Sequence, residues 1–155
     1  MSQINENRSI YMRMYTNRPI DDFPQAPDAF IAGRYLMRIA SYTPEVAKDG
    51  RTFFKITCDI LEGPTAVAAN GNPIDYTTRQ FTLLLWHPDA SIQTVDWQLE
   101  QSERQLRQFL EGFNIPWDGT EYDPDDFPGA EAYVTLGPQK RNPEMMEPKR
   151  IESAV

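Results

Sequence analysis

Phe53, Trp86 and Tyr42 are flat aromatic side chains at strand positions that leave the core, and Arg38, Lys48, Arg51 and Lys55 stand around them in sequence. Lys140 and Arg141 form a second basic group nearer the C-terminus. Aromatic faces interleaved with cations suit one chemistry in particular: the bases of an unpaired nucleic-acid strand stack on the rings while the cations follow its phosphates. The stretch K-D-G-R-T-F-F-K-I, Lys48 to Ile56, concentrates this pattern. Side chains alternate faces along a strand, so Phe53 and Phe54 cannot both enter one core. Phe54 reads inward with Ile56, Cys58 and Ile60, and Phe53 reads outward beside Lys55. The blander alternative is that the outward aromatics lie beneath another part of the chain and that the charges belong to ordinary solvated loops.

Other chemistries find less support. Asp118, Glu121, Asp123, Asp125 and Asp126 are close enough in sequence to suggest a divalent-metal site and hence a metal-dependent nuclease. They lie, however, in a Pro- and Gly-broken loop without calcium-loop spacing, as a solvated acidic loop would. His87 has no triad partner that the sequence reveals, and Cys58 on an apolar strand face reads as inert core. One Cys and one His cannot make a Cys/His zinc site, and no glycine-rich phosphate cradle is present. No cofactor or metal is expected, and no enzyme.

The chain has 155 residues, of which 40% are hydrophobic and 25% charged, enough for one domain with a real core. A single cysteine excludes an intramolecular disulfide and points to a reducing, cytoplasmic setting. No apolar run approaches the roughly 20 residues of a membrane span. A net charge of −8 opposes polyanion binding on average. The charge is segregated, though: from Pro116 to Glu131 there are acids and no bases, whereas Arg34, Arg38, Lys48, Arg51 and Lys55 face only Glu45 and Asp49 in their stretch. Local sign, more than net charge, decides what a surface attracts.

These residues must be positioned by a small set of elements. Residues 1–29 are polar and Pro-punctuated and read as an arm; its S-I-Y-M-R-M-Y-T-N-R segment offers a strand to a second copy, a nucleic-acid contact or a loose tail. In G-R-Y-L-M-R-I-A-S-Y, Tyr35, Met37 and Ile39 take one face and Arg34, Arg38 and Tyr42 the other, as in a half-buried strand. A second strand follows through Cys58 and Ile60. After a long connection with a turn at Asn70-Gly71, a third strand sends Phe81, Leu83 and Leu85 inward and Leu84 and Trp86 outward. The period then changes: Leu99, Ser102, Leu106, Phe109, Leu110 and Phe113 recur at three and four, the mark of an amphipathic helix that ends at Gly112 and Pro116. The acidic loop leads to a fourth strand with Ala130, Ala132, Val134 and Leu136 inward, then a basic turn and a short last strand near Arg150 and Ile151.

A mainly β chain with one helix between strands 3 and 4 has the element order of the OB-fold, a five-stranded, partly open barrel. Residues 30–151 are expected to form that domain, with 152–155 as a short tail. A-G-R-Y, F-F-K-I-T-C-D-I-L-E-G, F-T-L-L-L-W-H-P and S-E-R-Q-L-R-Q-F-L-E-G-F-N-I-P resemble short phage-encoded proteins found among replication and recombination genes and taken to be OB-fold single-stranded DNA-binding proteins. The similarity spans roughly Phe30 to Ile151, with a longer loop between Gly63 and Thr78 and no acidic C-terminal tail. The resemblance implies non-catalytic, largely sequence-independent binding of single-stranded DNA in the host cytoplasm, away from membranes, with replication or recombination proteins as partners. A phage assembly adaptor on a small β-barrel is the alternative.

Overall fold

A computed structural model describes residues 12–23, 30–68 and 70–155. Much of the expected arm, including Arg8 and Tyr11, therefore lies outside the described residues. The main body is one five-stranded antiparallel sheet and one helix. Its strands are β1 (Gly33–Val46), β2 (Thr52–Glu62), β3 (Gln80–Trp86), β6 (Glu131–Pro138) and β7 (Met146–Ser153), in the spatial order β3-β2-β1-β6-β7. A small hairpin, β4 (Trp117–Asp118) with β5 (Glu121–Tyr122), and a 3-10 turn at Pro124–Asp126 occupy the acidic loop. The sheet is not closed, because β3 and β7 remain its two edges.

Alternation builds the core as expected from the sequence. Tyr35, Met37 and Ile39 from β1, Phe54, Ile56, Cys58 and Ile60 from β2, Leu83 and Leu85 from β3, and Ala132, Val134 and Leu136 from β6 are all buried together. Helix α1 (Asp96–Gly112) lays Phe109 and Leu110 onto this face, and Phe113 and Ile115 follow them in. Burial on that scale dominates the folding free energy, since each such side chain removed from water is worth about 1.5–3 kcal/mol.

The helix ends by a specific device. Asn114 adopts a left-handed conformation (φ 56°), the Ile115 N–H donates to the Leu110 carbonyl at 2.8 Å and the Asn114 N–H to that of Glu111 at 3.2 Å. This double bond pattern is a Schellman motif with Asn in place of the usual glycine, and Pro116 then prevents continuation. Gly112 is buried against β7. A Cβ there would stand 2.3 Å from the Ile151 side chain, so the close approach of helix and strand requires glycine.

Two irregularities shape β1. Its partner register on β2 jumps between Leu36 and Met37 and again between Ile39 and Ser41. The second leaves Ala40 as an extra residue, a bulge that reverses which side chains face the core beyond it. The connection between β2 and β3, expected only as a long loop, is partly structured: Val67 bridges Pro73, and Tyr76 in a 3-10 turn is buried against Tyr35 and Phe30.

Candidate functional site

β2 and β3 pair so that Phe53 lies directly opposite Trp86, on the face of the sheet away from the core. The two rings stack with centroids 4.6 Å apart and planes 29° from parallel. Both are half-buried, and the turn between β1 and β2 supplies the Arg51 guanidinium, 4.4 Å over the Trp86 ring. Such a cation held against an aromatic face is attracted by the ring quadrupole. Arg51 is held from the other side by Asp49, its Nε donating to Asp49 Oδ2 at 2.9 Å. The backbone N–H of Arg51 also donates to that carboxylate and, more than the guanidinium, holds the Asp49 carboxyl below its usual range. The turn is tightened by Gly50, whose φ of 93° suits glycine. Phe53 is therefore outward, as alternation requires, but its nearest partner is Trp86 and not open solvent.

Of the remaining cations, Lys55 and Arg38 lie on strands with their side chains on the same face, and Lys48, Lys140 and Arg141 lie in turns. Lys55 is exposed and bonds Glu45 at 3.0 Å. Arg38 lies 3.9 Å from Glu131 and opposite Asp59 in the register. Lys48, Lys140 and Arg141 are exposed and make no ion pair with a described residue. The structure separates them. Lys48 follows the end of β1, whereas Lys140 and Arg141 follow Leu136 and Pro138, which run past Gly33 at its start. A 14-residue strand at about 3.3 Å per residue puts roughly 40 Å of chain between those ends.

Tyr42 requires a correction. Simple alternation from Tyr35 puts it outward with Arg38, but the bulge at Ala40 turns it to the core side, opposite Ile56. Its ring packs edge-on against Phe54 and Phe127, and its hydroxyl donates to Asp125 Oδ1 at 2.6 Å. That bond raises the Tyr42 pKa. Tyr42 thus ties β1 to the acidic loop and is not placed with Phe53 and Trp86.

Two of the acidic residues are engaged by hydrogen bonds. Asp123 accepts the backbone N–H of Asp125 at 2.9 Å, and Asp125 takes the Tyr42 hydroxyl. Among the described residues, no three His, Cys, Asp or Glu side chains converge as metal ligands would. His87 and Tyr122 meet across the same region, Nδ1 to hydroxyl at 2.6 Å, linking the end of β3 to β5. Cys58 is fully buried, and burial pushes its thiol up to about 12.

Two further features escape a reading of strands alone. Trp97, in the first turn of α1, is 63% exposed and shares an open depression with Arg51 and Trp86. An exposed tryptophan outside the apolar stripe of the helix was the available signal. Arg34 lies 3.9 Å over the Tyr133 ring, a cross-strand pair visible only once β6 is known to flank β1. No protein-family model matches the chain, and no curated protein matches it. Among the described residues, no helix is long and apolar enough to cross a membrane.

Proposed function

We propose that this outer face binds single-stranded DNA without catalysis and with little sequence preference, in phage replication or recombination. The observation that carries the reading is the stacked Phe53–Trp86 pair beneath Arg51, on the face of the sheet turned away from the core. Large aromatic rings on that face, with a cation against them and Lys48 and Lys55 alongside, supply both interactions that an unpaired strand needs. The ion pairs of Lys55 and Arg38 do not oppose this. Surface pairs are worth about 0–1 kcal/mol, so a phosphate can replace the carboxylate at little cost.

The strand order also supports an OB-type reading. Four successive antiparallel pairings make β3 and β7 run parallel at the sheet edges, the two strands that would meet to close such a barrel. A cleft of about 520 Å³ lies between them, lined in part by Leu84, Gln108 and Lys149. Strands 2 and 3 and the loops beside them are where OB-folds take oligonucleotides, and here they carry the aromatic pair.

The test is a gel shift of labelled oligo-dT against duplex, with and without magnesium, on the wild type and on Trp86→Ala. Retardation of oligo-dT alone, weakened by the substitution, is expected. Absence of any shift would favour a partner-binding adaptor, and magnesium-dependent cleavage would favour a nuclease.

A further inference from the structure

Glutamine recurs through α1 at positions 98, 101, 105 and 108. Steps of three, four and three place Gln98, Gln101, Gln105 and Gln108 on one helix face, one position before each of Leu99, Ser102, Leu106 and Phe109. The amides therefore form a stripe bordering the buried face. All of them are exposed, and none makes a side-chain hydrogen bond to a described residue. Other glutamines are engaged: Gln93 donates to Ser102 Oγ at 2.9 Å and Gln80 to Asp59 at 2.8 Å.

The stripe begins beside the aromatic pair. Gln98, Gln101 and Gln105 share with Arg51, Trp86 and Trp97 an open depression of about 520 Å³. Gln105 and Gln108 carry the line on into the cleft between β3 and β7. The fold thus lays a row of unengaged amides along one side of β3, starting at its aromatic end.

A primary amide presents a donor and an acceptor side by side. The Watson–Crick edge of each of the four bases does the same, so one amide can pair with any of them. In a duplex those edges are already taken by the other strand. In a single strand they are free, which is where protein side chains bond them. Being uncharged, amides also leave the phosphates unrepelled, unlike the carboxylates of Glu100 and Glu103 elsewhere on the helix.

We propose that the Gln98–Gln101–Gln105–Gln108 stripe receives the Watson–Crick edges of unpaired bases next to those stacked at Phe53 and Trp86, and so discriminates unpaired from paired or base-free strands. The inference rests on the proposed single-strand binding and adds the group that recognises an unpaired base edge. Its test is the variant Q98A/Q101A/Q105A/Q108A, in which exposed positions receive the best helix former, so that folding is retained and is checked by a thermal melt. Fluorescence anisotropy is read with oligo-dT, with an abasic oligonucleotide of equal length and with duplex. The variant is expected to lose at least about tenfold in oligo-dT affinity, with abasic and duplex affinities and the salt slope unchanged. Retention of oligo-dT affinity within about twofold, or an equal loss on the abasic strand, overturns the inference and leaves the proposed function standing. A wild type that binds no oligonucleotide overturns both.

Discussion

Phe53 and Phe54 are neighbours with different partners, and single substitutions should separate them. Phe54 is only 7% exposed and touches Tyr42 and Phe127, so Phe54→Ala should cost about 3–5 kcal/mol in denaturant unfolding. Phe53→Ala removes one half of a stacked, half-buried pair on the outer face; it loses the ring–ring contact, worth about 0.5–1.5 kcal/mol, and only part of the burial, so it should cost less than Phe54→Ala. Its larger effect should be on oligo-dT affinity, about 1–3 kcal/mol by titration. Equal destabilisation at the two positions with unchanged affinity would show that the outer pair is a second core. Cys58 offers an independent check of burial: with its thiol held near 12, a thiol reagent at pH 8 should label the native protein negligibly and the denatured protein fully.

At the scale of elements, the contact between α1 and β7 is set by one glycine. Gly112→Ala would gain roughly 1 kcal/mol of helix propensity. The added methyl, however, meets Ile151 side-chain and backbone atoms within 3.0 Å. Overpacking of this kind costs about 1–3 kcal/mol, so the net change in the unfolding midpoint should be a loss. Ile151→Ala in the same background should recover part of it, a coupling that a pure propensity effect would not produce. The bulge at Ala40 is a second element-scale determinant: deleting that residue would leave Ser41 outward opposite Thr57 and Tyr42 still opposite Ile56, so the bond to Asp125 should survive, whereas inserting a residue beside Ala40 would turn Tyr42 outward and break it.

For the whole molecule, charge distribution governs any polyanion binding. With Lys48, Arg51 and Lys55 at the aromatic end of the sheet and Arg38 farther along β1, the log-log dependence of oligo-dT affinity on salt should have a slope of about −2 to −3. Reversing Lys140 and Arg141 should weaken binding of oligonucleotides long enough to span the sheet and leave short ones unaffected, because those residues sit at its far end. Alkaline stability has a defined sign. Burial pushes Tyr35, Tyr122 and Cys58 each up to about 12. The fold favours their protonated, neutral forms, so the contribution is complete below the unfolded values of about 9 and 10. It is lost as pH rises from there towards 12, and urea midpoints measured at pH 8 and 11 should differ accordingly.

Local sequence determined the elements that depend on short-range periodicity. Alternation in G-R-Y-L-M-R-I and F-F-K-I-T-C-D-I placed Tyr35, Met37, Phe54 and Ile56 in the core, and the three-and-four spacing from Leu99 to Phe113 marked the helix and its buried face. These patterns are legible because burial of one face is a property of consecutive residues. What required the tertiary structure depends on partners distant in sequence. The bulge at Ala40 has no signature of its own in A-S-Y, yet it moved Tyr42 from the outer face to the core side. The Phe53–Trp86 stack arises from the β2–β3 register, and the separation of Lys140 and Arg141 from Lys48 arises from the pairing of β6 with β1. Whether the sheet closes is decided by the distance between its edges, to which every strand's twist contributes and which no single segment encodes.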